Sequence, residues 1–188
     1  MGGGRDCVLV VEDNAELRQA YHRVLSEFCA VSTAASGADA VETITDDTDV
    51  VVLDRPLPAV TVDTLVSELK NRHHDCYVAM VTGVAPPFDI SRLGVDDYLV
   101  RPLTIEQLRD TVDRLFSLAE YDAAYRTLSQ KRVEKSVRVR EQASTELRHS
   151  PEIDRLSTEI ERLETEIERL EAEIDEQVET LGGMRPGD

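Results

Sequence analysis

Lysine is almost missing from this chain: Lys70, Lys131 and Lys135 are the only three among 188 residues, and every other basic side chain of fixed charge is arginine. Acid is abundant, with 38 Asp and Glu against 21 Lys and Arg and a formal net charge of -17. A surface of that sign repels duplex DNA and anionic lipid at long range. An acidic, lysine-poor chain that still folds suits a salt-rich cytoplasm, because at about 1 M ionic strength the Debye length is only about 3 Å and self-repulsion is screened. Cysteine is also sparse. Cys7, Cys29 and Cys76 lie in or beside apolar runs with no C-x-x-C spacing, as expected for buried, reduced thiols of a cytosol. No apolar run approaches the roughly 18 residues of a membrane span. Met1-Gly2-Gly3-Gly4-Arg5-Asp6 has neither a signal-peptide core nor a Ser or Thr at the sixth position for myristoylation. The expectation is a soluble cytoplasmic protein without membrane insertion.

Short apolar runs alternate with amphipathic stretches up to about Leu118. Residues 7–11, 30–34, 50–53, 77–81 and 98–100 read as strands, and 15–28, 38–44 and 61–72 carry helical spacing. Five βα units predict a doubly wound parallel sheet. Turn chemistry agrees at Ser36-Gly37, Ala85-Pro86-Pro87 and Arg101-Pro102, while Thr104 with Gln107 forms a capping box for a helix starting near Ile105.

Two of the apolar runs end in acid. Cys7-Val8-Leu9-Val10-Val11 leads into Glu12-Asp13, and Val50-Val51-Val52-Leu53 leads into Asp54. Ligands of open parallel sheets gather at the carboxyl ends of strands, so three carboxylates from two strands are expected to converge. Such acids repel unless a hard cation joins them, and oxygen-only ligands favour Mg2+ or Ca2+. Each acid also has a plainer reading, since Glu12-Asp13-Asn14 suits the cap of a helix.

Taken in order, Val8–Asp13 (VLVVED), Val51–Pro58 (VVLDRPLP), Met80-Val81-Thr82-Gly83 and Asp96–Pro102 (DDYLVRP) resemble the receiver domain of two-component response regulators, over residues 5–118. The resemblance implies a CheY-like, flavodoxin-like sheet of order 2-1-3-4-5. It makes Asp54 the phosphoacceptor, converted to an aspartyl phosphate by the phosphohistidine of a sensor histidine kinase. It gives Mg2+ to Asp13 and Asp54, with Glu12 acting through water and the backbone carbonyl of Pro56 as a further ligand. Thr82 is then the hydroxyl that meets a phosphoryl oxygen, and Tyr98 the aromatic that swings inward on the switch. One position departs from the pattern: receivers carry lysine before the proline that follows the fifth strand, and this chain has Arg101-Pro102. The positive charge survives, but guanidinium is planar and wider than a compact ammonium.

Beyond Leu118 the strand signals stop and residues 119–181 read as helical, followed by a flexible tail over 182–188. Ser150 and Pro151 mark the start of a second helix, the first ending near Arg148. Ile153, Leu156, Ile160, Leu163, Ile167, Leu170 and Ile174 alternate three and four apart, the seam of a coiled coil. A parallel homodimer sets acid against acid at Glu159, Glu164, Glu166, Glu171 and Glu173. An intramolecular hairpin avoids this by placing Lys135 near Glu164 and Arg138 near Glu161, and leaves part of the stripe of Tyr121, Tyr125, Leu128, Val133 and Val137 for a partner. The receiver and charged helical pair together resemble haloarchaeal response regulators with a HalX output domain. No third helix, basic recognition face or zinc spacing indicates a DNA reader. The expected role is a phosphorelay switch rather than an independent enzyme. Two alternatives stand beside it: a phosphorylation-independent scaffold, and a transcriptional regulator acting through the helices. A true Asp-nucleophile phosphatase is disfavoured, because Pro56 occupies the place of the second Asp that many such hydrolases carry.

Overall fold

A computed structural model describes residues 6–54, 62–72, 76–83, 94–143 and 150–182. Pro56, the Ala85-Pro86-Pro87 turn, the helix end expected near Arg148 and the tail after Gly182 lie outside these residues. The chain divides into two compact units, Met1–Ala119 and Glu120–Asp188.

The first unit is built on β1 (Cys7–Val11), β2 (Ala30–Ala34), β3 (Val50–Asp54), β4 (Tyr77–Thr82) and β5 (Asp97–Val100). They form one parallel sheet of order β2-β1-β3-β4-β5. Both faces are covered, which explains why the central strands are apolar throughout rather than alternating. Leu9, Val11, Val51, Leu53, Val78 and Met80 pack with Leu65, Val66 and Leu69 of α3 (Val62–Arg72) and Ala40 of α2 (Gly37–Thr43). Val8, Val10, Val50, Val52, Ala79 and Val81 pack on the other face with Tyr21 and Leu25 of α1 (Ala15–Leu25) and with Leu108, Val112 and Leu115 of α4 (Ile105–Ala143). Each of the Val, Leu and Met side chains, fully buried, contributes about 1.5–3 kcal/mol.

Local chemistry sets the ends of the helices. Asn14 caps α1 by accepting from the backbone N–H groups of Glu16 and Leu17 at 2.9 and 3.2 Å. The helix stops at Leu25, three residues short of the expected Phe28: the Glu27 and Phe28 N–H groups donate to the Val24 and Leu25 carbonyls three residues back, at 3.4 and 3.1 Å, so the last turn tightens out of α-helical bonding. Ser36 caps α2. The Thr104 and Gln107 box is reciprocal, at 2.8 and 3.2 Å. Gly94, at φ +72°, makes the left-handed turn before β5, where a Cβ would press on Val66. The Arg101-Pro102 peptide is cis.

Register places the site. Val11 pairs with Leu53, Asp54 with Val81, and Thr82 with Val100. The carboxyl edge of the sheet therefore presents Glu12, Asp54, Thr82 and Arg101 from neighbouring strands.

The second unit consists of the end of α4 and α5 (Pro151–Gly182), paired antiparallel. Ala124 and Leu128 of α4 bury against Ile160 and Ile167 of α5, with Tyr121 and Leu163 at the margin. Lys131 meets Glu159 at 2.8 Å, Arg132 meets Glu164 at 2.7 Å, Arg138 meets Glu152 at 3.2 Å, and Tyr121 donates to Glu171 at 2.9 Å. The hairpin is the one expected from charge, but its register differs from the expected Lys135–Glu164 and Arg138–Glu161 pairs by about two helical turns. Ser150 precedes α5 and Pro151 opens it, as expected, and residues 144–149 between the two helices lie outside the described residues.

Candidate functional site

The acidic loop after β1 is fixed by its own neighbours. Glu12 is 2% exposed; its Oε1 accepts from the Asn14 N–H at 2.8 Å. Arg18, one turn into α1, donates to the carbonyls of Glu12 and Asp13 at 2.7 and 3.2 Å. Asp13 stays exposed, its carboxyl interacting with that of Glu12. Burial pushes Glu12 above the usual carboxylate range, opposed by the Asn14 N–H and by the charge of Arg101.

Asp54 is equally buried, at 2% exposed. Arg101 Nη2 donates to Asp54 Oδ2 and, at 3.1 Å, to Glu12 Oε2, so one guanidinium bridges the two acids. The Tyr21 hydroxyl also reaches Oδ2, at 3.4 Å. Burial raises the Tyr21 phenol above its ordinary value, with Arg101 pulling the other way. Asp54 Oδ1 is buried and has no hydrogen-bond partner among the described residues. Thr82 is 8% exposed, and its carbonyl accepts from the Arg101 N–H at 2.8 Å. Tyr98 pairs in register with Met80 and is 40% exposed, so the expected switch aromatic faces outward.

The expected convergence of three carboxylates is realised as a bridged pair, with Asp13 at the rim. Among the described residues no three His, Cys, Asp or Glu side chains are grouped to hold a metal ion. The reason is electrostatic: the guanidinium offsets only part of the charge of the buried pair, and a third carboxylate is better solvated outside. The donor set still fits a hard divalent cation, being all oxygen, with a buried unsatisfied carboxylate oxygen on Asp54 and the exposed Asp13 beside Glu12. Pro56 is outside the described residues.

Sequence reasoning missed Tyr21 and Arg18. Tyr21 follows Leu17 and precedes Leu25 at helical spacing, and a phenol on an apolar stripe brings a polar tip that needs a partner. That was the available signal. Arg101 and Tyr21 also line a pocket of about 470 Å3, with Leu17, Val24, Leu103 and Leu108, between α1 and the start of α4.

Fold and site define a flavodoxin-like α/β protein whose chemistry lies at the carboxyl edge of its sheet. Residues 8–113 match the family model of the response regulator receiver domain, and the chain belongs to that family. It is 38% identical over 120 residues to a putative transcriptional regulator of Haloferax volcanii, covering 63% of this chain and 21% of the relative. It is 30% identical over 117 residues to the sensor histidine kinase TmoS of Ectopseudomonas mendocina, covering 59% of this chain and 12% of that protein. The chain thus spans only 21% and 12% of the length of these two. Among solved structures, a CheY-like receiver domain from Methanospirillum hungatei superposes with a TM-score of 0.58 at 19% identity, covering 63% of this chain and 99% of that one. The domain is one of two-component signalling, and no described helix is long and apolar enough to cross a membrane.

Proposed function

We propose that the chain is a phosphorylation-switched response regulator in which Asp54 takes a phosphoryl group from the phosphohistidine of a sensor histidine kinase. The observation that carries this reading is the buried Asp54 carboxylate at the end of the central strand, with one oxygen free of hydrogen bonds among the described residues and Glu12, Thr82 and Arg101 around it. Attack by a carboxylate oxygen forms the O–P bond as the bond from phosphorus to the histidine nitrogen breaks, in line. Burial keeps water from competing, and Tyr21 holds the other carboxylate oxygen. Thr82 and Arg101 stand on adjoining strands to receive the charge of the phosphoryl oxygens. Asp13 and Asp54 would hold Mg2+ directly and Glu12 through water, with the carbonyl of Pro56 proposed from sequence alone; bound there, the ion supplies charge neutralisation of the transferring group. Signal then passes to the surface around Tyr98.

The helical unit is the output. Its charged pair suits a HalX-type domain, and the exposed Tyr125, Val133 and Val137 offer an apolar strip for a downstream protein or a second copy. The acid surplus and the Haloferax relative support a haloarchaeal, salt-rich cytoplasm as its setting. The protein needs no catalytic activity beyond gaining and losing its own phosphoryl group.

The test is incubation with Mg2+ and a small acyl phosphate in high KCl, followed by intact mass measurement. One added phosphate, absent in Asp54→Asn, is the expected result. No adduct with acyl phosphate or kinase would replace this reading with a phosphorylation-independent scaffold.

A further inference from the structure

We propose that the outward strip of α4 binds the same strip of a second copy of this chain, laid antiparallel about a two-fold axis level with Lys131. This deepens the reading of the helical unit as an output and rests on it, naming what the strip meets. Tyr125, Val133 and Val137 are 53%, 64% and 48% exposed. At 3.6 residues per turn they share an arc of about 120° with Asp122, Arg126, Ser129, Ser136 and Arg140, all exposed, on the side of α4 away from Ala124 and Leu128, which pack on α5. Asp122 is the only acid on that arc, in a chain with 38 Asp and Glu. Two features prepare the strip for burial. The Tyr125 ring stacks on Tyr121 with centroids 6.2 Å apart, and Tyr121 is itself tied to Glu171 at 2.9 Å, so the largest side chain of the strip is already held in place. The Ser129 hydroxyl donates to the Tyr125 carbonyl at 2.9 Å, so covering it with apolar surface leaves no donor unmade.

The pattern of the strip selects its own kind as partner. Across a two-fold interface one residue meets a second while the second meets the first. Asp122 and Arg140, Tyr125 and Val137, Arg126 and Ser136, and Ser129 and Val133 are each equidistant along the chain from Lys131. An antiparallel copy therefore sets aspartate against arginine at both ends, tyrosine against valine inside them, and valine against a small serine at the centre. A parallel copy would face Arg126 and Arg140 with their own counterparts. The outer side of α5 is no substitute, because Asp154, Glu161, Glu168 and Asp175 are exposed there and bring acid rather than apolar surface. Two chains of charge -17 repel each other, so salt that screens this repulsion tightens the pair.

The test is sedimentation equilibrium on the unphosphorylated full chain at low and high KCl. A concentration-dependent dimer, tighter at high KCl, is expected. Val133→Glu puts a charge at the centre of the strip on an exposed position that the fold does not use, and should weaken the dimer at least about tenfold with the thermal melt unchanged in the dissociated chain. Asp122→Arg should weaken it at least about threefold at low KCl, and combining Asp122→Arg with Arg140→Asp should restore the affinity. A monomer at both salt concentrations, a dimer indifferent to Val133→Glu, or a charge exchange that fails to restore association each overturns the proposal. Intact mass after acyl phosphate and Mg2+ on the same samples separates the two readings. A dimer that takes no phosphate removes the Asp54 reading and keeps the strip, whereas a monomer that takes phosphate does the reverse.

Discussion

The hydroxyl of Tyr21 donates to Asp54 Oδ2 across 33 residues of chain, tying the middle of α1 to the end of the central strand. At 3.4 Å the bond is long, and its contribution is correspondingly small. Tyr21→Phe is expected to lower stability by about 0.5–1 kcal/mol and to leave Asp54 open to phosphorylation. Chemical denaturation at constant KCl and intact mass after acyl phosphate check the two halves. A loss of phosphorylation would make the hydroxyl part of the chemistry rather than a tether.

Thr82 stands one residue past the pair formed by Asp54 and Val81. Thr82→Ala removes the hydroxyl while keeping the backbone bond from Arg101. Phosphorylation should continue about tenfold more slowly, the effect of one hydrogen bond of about 1.4 kcal/mol in the transition state. Time-resolved mass measurement reads the rate. An unchanged rate would remove Thr82 from the phosphoryl site.

Arg114 pairs with Asp97 under the sheet edge, with side chains 13% and 23% exposed. Burial holds the Asp97 carboxyl above its usual range, and Arg114 is the chief influence pulling it down. Arg114→Met leaves a largely buried carboxylate unpaired and should cost about 1–3 kcal/mol at neutral pH. Its sign with pH follows from linkage. A carboxyl whose folded-state pKa lies above its unfolded value binds protons more tightly when folded, so its cost to stability is full above the folded pKa and fades as pH falls through it. The gap between variant and wild type should therefore narrow on acidification; denaturation midpoints at pH 7 and pH 4 in the same salt measure it.

In the helical pair the seam, not the charges, should carry the stability. Arg132 and Glu164 are 56% and 41% exposed, and exposed pairs contribute about 0.2–1 kcal/mol, less in salt. Ile160 is 7% exposed within the apolar cluster, and truncation of such a residue costs about 2–5 kcal/mol. Arg132→Ala is thus expected to matter slightly at low KCl and not at high KCl, while Ile160→Ala is costly at both. Helical content followed through thermal melts at two salt concentrations compares them. A larger effect of Arg132→Ala in high salt would reverse the assignment.

Much of this protein is written in local patterns. Apolar runs of strand length, the Asn14 and Ser36 caps, the Thr104 and Gln107 box and the three-four spacing of α5 each depend on residues within a few positions of one another. The sequence alone therefore determined which segments are strands and helices, and that acids end β1 and β3, while for the helical pair it left a hairpin and a parallel dimer both open. Tertiary structure decided what those acids touch. Glu12, Asp54 and Arg101 meet because strand order and register set three distant chain segments side by side, and no local pattern encodes which side chain then reaches across. The same holds for Tyr21, for the outward position of Tyr98 and for the register of the hairpin. In each, burial and register between distant segments decide what sequence spacing leaves open.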